Sequence, residues 1–322
     1  MARRPGRKAP SAPLGQREGV DPVRVRLPGD GAWATVGAFL HDRYGAAIGA
    51  ERVEAMLAAG RFVTADGPVR AGTPYEGGGW VWFHRDFAAE QPVPFALRIV
   101  HRDERIVVAD KPHFLASVPR GRHITETALA RLRRELGVPQ LSAAHRLDRL
   151  TAGLVLFVVR PQDRGAYQTL FRDRRVRKEY EGVARHDPGV ELPRVVRSRI
   201  VKDRGVIAAR EAPGPVNAES RVELLAHRAG LARYRLLPAT GRTHQLRVHM
   251  NALGLPLLND PVYPLLLPEA PADDFGRPLQ LLARAMEFTD PLTGRTVRWE
   301  SARELAAWSG ASGEVRPSTP RA

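Results

Sequence analysis

The chain of 322 residues contains no cysteine, which excludes disulfides, thiolate zinc sites, iron–sulfur clusters and a cysteine nucleophile. Lysine is also scarce, since only Lys8, Lys111, Lys178 and Lys202 occur. No apolar run approaches the roughly 20 residues that a membrane-spanning helix needs. The basic amino terminus leads into no apolar segment, which argues against a secretory signal. We therefore expect a cytoplasmic protein without membrane contact.

Positive charge is abundant, and arginine carries most of it. Fifty Lys and Arg residues stand against 35 Asp and Glu residues, which gives a net charge of +15 and a pI near 11.1. This balance favours a polyanionic partner, with nucleic acid ahead of a membrane surface. Arginine-rich usage can also follow from genomic composition, so charge alone does not identify the partner.

The most informative segment is His145–Leu154, HRLDRLTAGL, which leads into the apolar run VLFVV. It places the Asp148 carboxylate between two arginines, directly before a predicted buried strand. A carboxylate beside fixed cations keeps its charge, because a nearby opposite charge favours the ionised form. Such an anion can attack carbon, accept a proton or bind a cation. The alternative is an ordinary salt bridge in a loop.

This segment resembles the catalytic loop of the RluA-type pseudouridine synthases, which reads HRLD, two variable residues, then TSGL. Three further segments resemble motifs of the same family in the family's order. They are VVADKP at 107–112, KEYEGV at 178–183 and ATGRTHQLRVHM at 239–250. The resemblance extends over about residues 95 to 300, and coincidence does not explain four motifs in the family's order. It implies isomerisation of uridine in RNA without a cofactor.

The resemblance also implies roles for individual residues. Asp148 is the predicted nucleophile or base, and Tyr180 would stack on a uracil that has left its base stack. Arg242 would pair with Asp148 and keep it ionised, and Arg146 would fill the space that the flipped base vacates. Each role has an alternative: Arg146 and Arg242 could contact phosphate on the surface, and Tyr180 could be a core residue.

Other basic residues of the matched motifs are predicted to contact RNA together with Arg146, namely His145, Arg149, Lys111 and Lys178. Lys111 could instead support the site. The cluster Arg172, Arg174, Arg175 and Arg177 would line an RNA path, although a solvated basic turn is the default for such a run.

A metal site is not expected. His244 and His249 are five residues apart, which places them on opposite faces of a strand or about 140° apart on a helix. Neither arrangement directs both rings at one ion, and acidic neighbours at ligand spacing are missing. These histidines are interpreted as packing or RNA-contact residues.

The predicted fold is α+β: a pseudouridine synthase catalytic domain over 95–306, with a mixed, mainly antiparallel sheet flanked by helices. Residues 1–31 are predicted to be a disordered basic arm and 307–322 a flexible tail. Between Trp33 and Phe87, two helical periodicities precede short strand patterns, which resembles a degenerate alpha-L RNA-binding domain over 32–88. The whole is expected to be a monomer.

Two motifs depart from the family pattern. Ala152 replaces the serine of Thr-Ser-Gly, and Asn259–Pro264 replaces the family's Gly-Asp-x-x-Tyr-Gly with both glycines changed. These changes bear on substrate choice more than on the reaction. The leading function is therefore an RNA pseudouridine synthase acting on ribosomal or transfer RNA. The alternatives are a catalytically retired RNA-binding protein of this fold and, less favoured, a nucleic-acid hydrolase.

Overall fold

The computed structural model describes residues 12–309. The chain forms two compact units that divide between Ala88 and Ala89. Among the described residues, no helix has both the length and the apolar character needed to cross a bilayer.

The first unit contains two helices and a four-stranded antiparallel sheet. Its elements are β1 Val23–Arg26, α1 Val36–Ile48, α2 Ala50–Ala58, β2 Val63–Thr64, β3 Gly67–Pro68 and β4 Trp80–Phe83. The strand order is β1-β4-β2-β3. Thr35 caps α1 by accepting a hydrogen bond from the Ala38 amide at 3.1 Å. The helices bury Phe39, Leu40, Val53 and Met56 against this sheet.

The predicted disordered arm is wrong for its last part. Val23–Arg26 forms β1, which pairs antiparallel with β4. The alternation of Val and Arg explains this strand, because Val25 is buried while its neighbours Arg24 and Arg26 are exposed. Residues 1–11 of the predicted arm lie outside the described residues. At the other end, Ala306–Ser309 forms the short helix α6, and residues 310–322 of the predicted tail lie outside the described part.

The RNA-binding character of the first unit remains a prediction. Two helices followed by short strands agree with the sequence pattern. However, Arg52 and Arg61, two basic residues of this unit, both form ion pairs with Asp86. Their charges are therefore partly neutralised within the unit.

The second unit is built on a ten-stranded sheet. Its elements are β5 Arg98–Arg102, β6 Ile106–Lys111, α3 Ala128–Leu136, β7 Ser142–Ala143, β8 Ala152–Val158, α4 Arg164–Arg172, β9 Arg177–Arg185, β10 Arg194–Ser198, β11 Ile200–Val201, β12 Arg210–Glu211, β13 Ala218–Arg228, β14 Leu231–Pro238, α5 Gln245–Ala252, β15 Leu281–Thr289, β16 Thr296–Glu300 and α6. β11 and β12 form a separate two-stranded sheet.

The order of the main path is β10-β13-β14-β9-β15-β8-β6-β5, with β16 added to β15 and β7 to β8. All its pairs are antiparallel except β15 with β8, so the predicted mixed, mainly antiparallel sheet is observed. The start of β8, the middle of β9 and the end of β14 meet near the centre of this sheet. Three of the matched motifs are thereby brought together.

Extended patterns in the sequence at 97–101, 106–109, 153–159, 176–185, 221–226 and 232–237 predict six strands, which correspond to β5, β6, β8, β9, β13 and β14. Helical periodicity at 125–136 and 162–171 predicts two helices, which correspond to α3 and α4. Elements α5, β10, β15 and β16 were not predicted. β15 reads LLARAMEFT and is buried at most positions. It therefore lacks the strict alternation that marks a strand with one solvated face.

Gly153 is the position where β8 approaches β15 most closely. Its φ is +110°, and a Cβ there would overlap the Ala283 carbonyl and lie 2.7 Å from the Ala283 nitrogen. Ala283 is the parallel-paired partner of Gly153. Glycine is therefore required both by the backbone conformation and by the space.

We predict that Gly153→Ala lowers the free energy of unfolding by about 3 kcal/mol or more, because backbone strain and a backbone clash add. Gly121→Ala is the control, since Gly121 also has positive φ (+60°) but has open space around it. It should cost about 1 kcal/mol. Urea denaturation of both variants tests this, and equal losses would contradict the close approach.

Candidate active site

A cleft in the second unit contains the matched motifs. It lies where the turn before β8, the middle of β9 and the segment between β14 and α5 converge. Its lining includes Arg146, Asp148, Thr151, Lys178, Tyr180, Thr240, Arg242, His244 and Arg247. Side chains that are more than 90 residues apart in the sequence thus face one space.

The turn that carries Asp148 is fixed by hydrogen bonds to four consecutive backbone carbonyls, those of residues 147–150. Leu147 O accepts from Ser117 Oγ at 2.9 Å, and Asp148 O accepts from Thr151 N at 3.1 Å. Arg149 O accepts from Lys111 Nζ at 3.2 Å, and Leu150 O accepts from His113 Nδ1 at 2.7 Å. Because each carbonyl has a fixed donor, the turn has little freedom to rotate and the Asp148 side chain keeps its direction.

The prediction that Lys111 contacts RNA is wrong, and its alternative role in supporting the site fits the structure. Lys111 is 0% exposed, and its Nζ donates to the carbonyls of Pro112, Leu115 and Arg149. Burial lowers the pKa of Lys111 to about 7. An ammonium group enclosed by three carbonyls cannot reach a phosphate.

Asp148 has two cationic or potentially cationic neighbours. Arg247 Nη1 lies 3.7 Å from Asp148 Oδ2, and His244 Nε2 lies 3.9 Å from the same oxygen. Arg247 also makes two hydrogen bonds to Asp260, from Nε at 2.7 Å and from Nη2 at 2.6 Å. Burial acts to lower the pKa of Arg247, but the hydrogen bonds and charge of Asp260, together with the charge of Asp148, outweigh burial and raise that pKa. The fixed guanidinium therefore places a positive charge beside the Asp148 carboxylate.

The predicted pair of Arg242 and Asp148 is wrong, because Arg247 occupies that position. Arg242 is exposed, lines the cleft, and donates from Nε to Asn217 O at 3.2 Å. The reason is α5, which begins at Gln245 directly after this turn. Residues three apart lie on one face of a helix, so His244 at its start and Arg247 both face Asp148. Because α5 was not predicted from the sequence, the contact between Arg247 and Asp148 was not predicted either.

The altered loop Asn259–Pro264 still supports the site. Asn259 has φ +58°, the conformation for which glycine is favoured, and asparagine tolerates it better than most residues. Asp260 accepts from Val262 N at 2.9 Å and Tyr263 N at 3.2 Å in addition to Arg247. The Tyr263 ring lies beneath the Arg247 guanidinium, 5.3 Å from its centre. Loss of both family glycines has therefore not removed the carboxylate that orients Arg247.

Tyr180, Arg146 and Lys178 all line the cleft. Burial, followed by the charge of Asp148, raises the pKa of Tyr180, so its phenol stays protonated. Arg146 is exposed, and within residues 12–309 its guanidinium has no hydrogen bond or ion pair. Lys178 donates to Thr240 O at 2.9 Å. Burial, with Arg174 nearby, lowers the pKa of Lys178 to about 8.

The remaining residues predicted to contact RNA, His145 and Arg149, are not part of the lining of the cleft. The His145 ring stacks on Phe171 at 4.2 Å, and its Nε2 accepts from Leu156 N at 3.1 Å. Burial lowers the pKa of His145 to about 3, so the ring is neutral, and its contact with RNA stays a prediction. Arg149 is half-buried with Nη1 3.5 Å from Phe114 O, outside the lining of the cleft.

The two histidines considered for a metal are separated by the fold. His244 precedes α5 and faces the cleft, whereas His249 is buried and lies 3.1 Å from Ser198 Oγ. The residues that the structure describes include no group of three or more His, Cys, Asp or Glu side chains placed to hold a metal.

Comparison with known proteins bears directly on this geometry. Residues 105–252, which include Lys111, Asp148, Tyr180 and Arg247, match the RNA pseudouridylate synthase family. The dual-specificity RNA pseudouridine synthase RluA of Pasteurella multocida is 35% identical over 210 residues, which cover 61% of this chain and 89% of that protein. The chain belongs to the RNA pseudouridylate synthase family.

Two further similarities agree with this family. Human pseudouridylate synthase RPUSD2 is 33% identical over 167 residues, although the match spans only 31% of that longer protein. The structure of human RNA Pseudouridylate Synthase Domain Containing 1 superimposes with a TM-score of 0.52 at 24% identity, over 67% of this chain and 86% of that one, and shows the shared fold. The predicted RluA-type family, α+β fold and enzyme class, an isomerase acting on RNA, are confirmed. The family match begins at residue 105, so it does not include the first unit.

We predict that Arg247→Lys lowers the single-turnover rate of pseudouridine formation by roughly 10²-fold or more, because an ammonium cannot bind Asp260 bidentately and still face Asp148. Arg242→Lys is the matched control and should change the rate by less than about tenfold. Both are measured at saturating RNA. A larger effect of Arg242→Lys than of Arg247→Lys would instead support the predicted pair of Arg242 and Asp148.

Proposed function

We propose that this family member isomerises a uridine in ribosomal or transfer RNA, with Asp148 as the reacting carboxylate and no cofactor. The observation that carries this proposal is the placement of Asp148 in a cleft beside the buried Arg247, on a turn whose carbonyls are all engaged. The reaction breaks the bond from ribose to a ring nitrogen, turns the base and joins the ribose to a ring carbon. Nothing is oxidised and no group is lost, so a carboxylate held in its ionised form is sufficient.

Asp148 would act on the ribose or the ring while Arg247 holds its charge. The guanidinium is fixed by Asp260 before any substrate arrives, so it needs no reorganisation during the reaction. This is the electrostatic role that was predicted for Arg242. A carboxylate with one buried cationic neighbour at 3.7 Å is still able to receive a proton or form a bond through its second oxygen.

The target base must leave its stack to reach a carboxylate at the bottom of this cleft. Tyr180 lies on the floor of the cleft in β9 and offers a ring face for the flipped uracil. Arg146 stands two residues before Asp148 and is exposed at the cleft. It is placed to fill the space in the RNA that the base leaves.

Arginines on the two faces of the sheet differ in their availability for RNA. On the face away from Tyr180, Arg235 lies 3.2 Å from Glu179 and 3.4 Å from Glu223, and Arg284 binds Glu181 at 2.9 Å. Successive residues of β9 alternate between faces, so these glutamates point away from the cleft. These charges are neutralised internally. We therefore propose that RNA lies on the cleft face.

The turn between α4 and β9 supports this path. Arg174 and Arg175 are exposed, and within the described residues their guanidinium groups have no hydrogen bond or ion pair. Arg174 is close enough to Lys178, which lines the cleft, to affect its pKa. These residues would contact the phosphates that flank the target nucleotide. A cytoplasmic, monomeric enzyme completes the proposal.

We predict that Arg174→Asn weakens RNA binding and makes the slope of log affinity against log salt shallower by roughly 0.7 to 0.9, the value for one phosphate contact. Asparagine is chosen because φ at this position is +59°. Arg235→Ser is the control and should leave the slope unchanged, since that side chain is already paired. Identical slopes for both variants would contradict the proposed path.

We predict that Asp148→Asn abolishes isomerisation while RNA binding is largely retained, because the amide keeps the shape of the carboxylate and loses its charge. Release of tritium from RNA labelled at carbon 5 of uridine measures turnover. A filter-binding assay on the same RNA is the control. Substantial turnover by the variant would contradict the role of Asp148, and an inactive wild-type chain that binds RNA would favour the retired enzyme.

A further inference from the structure

His244 is a cleft residue to which the proposed function gives no task. Its side chain is 12% exposed, lines the same cleft as Asp148 and Tyr180, and has Nε2 3.9 Å from Asp148 Oδ2. Its backbone φ is +56°, an unusual conformation for a residue other than glycine. A strained backbone that directs an imidazole toward a reacting carboxylate calls for an explanation in function.

The hydrogen bonds of Tyr263 determine which nitrogen of His244 carries the proton. The Tyr263 hydroxyl donates to Ala209 O at 2.7 Å and accepts from Ala209 N at 2.9 Å. Its only proton is therefore used. The contact of 3.1 Å between His244 Nδ1 and this hydroxyl must then be a donation from Nδ1–H to the oxygen. In the neutral ring, Nε2 consequently has no proton and presents its lone pair to the cleft.

The surroundings keep this ring neutral. Burial lowers the pKa of His244, which outweighs the opposing effect of the Asp148 charge. Arg247 and Lys202 act in the same direction as burial, and Asp260 acts with Asp148. The imidazole is thus available as a base near neutral pH. The phenol of Tyr180, by contrast, is held in its protonated form by burial and by Asp148.

We propose that His244 is a further catalytic residue of this enzyme, and that its Nε2 removes the proton from carbon 5 of the uracil after the new bond to ribose has formed. This assignment rests on the proposed function, because it concerns a later step of the same reaction. The reaction needs such a base, since carbon 5 carries hydrogen in uridine and none in pseudouridine.

The step balances without any added reactant. When carbon 5 joins the ribose it is bonded to both hydrogen and sugar, and the ring holds a double bond between carbon 6 and nitrogen 1. The C5–H bond breaks, its electron pair forms the C5–C6 double bond, and the former C6–N1 double-bond pair moves to nitrogen 1. Nε2 takes the carbon-bound proton, and nitrogen 1 receives one from solvent or from the resulting imidazolium. The neutral ring is then restored.

His244→Gly gives the sharpest test, because glycine accepts the positive φ and leaves a space that imidazole can enter. His244→Asn is its matched control: the amide can still donate to Tyr263 from the position of Nδ1, but it offers no base and fills the space. Each full-length variant is assayed in single turnover on RNA containing uridine or 5-deuterouridine. Circular dichroism and RNA affinity report folding and binding.

We expect both variants to bind RNA and to react roughly 10² to 10⁴ times more slowly, as loss of a general base predicts. A deuterium isotope effect larger than that of the wild type should appear, because removal of the proton becomes slowest. Imidazole should restore part of the rate of His244→Gly and none of the rate of His244→Asn.

Two results would overturn the assignment. Variant rates within about threefold of the wild type would show that another group removes the proton. A lower rate with no increase in the isotope effect and no rescue by imidazole would make His244 a residue that only positions Asp148. A wild-type chain that binds RNA but forms no pseudouridine would instead contradict the proposed function itself, and the assignment with it.

Discussion

The structure of the site depends on one buried arginine shared by two carboxylates. Arg247 is held bidentately by Asp260 and faces Asp148 at 3.7 Å, with its side chain only 3% exposed. Removing one partner of a buried ion pair typically costs 3 to 5 kcal/mol, so α5 and the loop after Asn259 are bound to each other through this contact. The same arginine places a fixed positive charge beside Asp148. The packing of α5 against the loop and the charge arrangement at Asp148 therefore depend on the same arginine.

The turn before β8 adds a second constraint, which acts on direction rather than on charge. Side chains or amides from Ser117, Thr151, Lys111 and His113 each engage one carbonyl of residues 147–150. Two of these donors come from the segment that follows β6. Lys111 is one of the few lysines of the chain, and it is buried where it joins the first matched motif to the catalytic turn. Asp148 is thus oriented by hydrogen bonds to the backbone of its turn, and the positive charge beside it comes from Arg247 on another element.

Periodicity predicted most of the central strands, and the family resemblance implied that Asp148 and Tyr180 belong to one site. The prediction was wrong for the partner of Asp148, because the periodicity of the segment that forms α5 did not distinguish a helix from a strand. The segment from residue 239 to 250 contains two arginines, and only the start of α5 at Gln245 decides that Arg247 faces Asp148. The burial of Lys111 and His145 is likewise set by packing of distant segments, which a charge pattern does not reveal. β1 was not predicted, because its short alternation of Val and Arg lies within a segment rich in Arg and Pro.

The central claim is that this chain forms pseudouridine in cellular RNA through Asp148. Mapping pseudouridines across total RNA tests it most directly, in cells that lack the protein and in the same cells supplied with the wild type or with Asp148→Asn. We expect one or a few uridines of ribosomal or transfer RNA to be modified only when the wild type is present. Identical maps in all three would contradict the account, as would full restoration by the Asn variant.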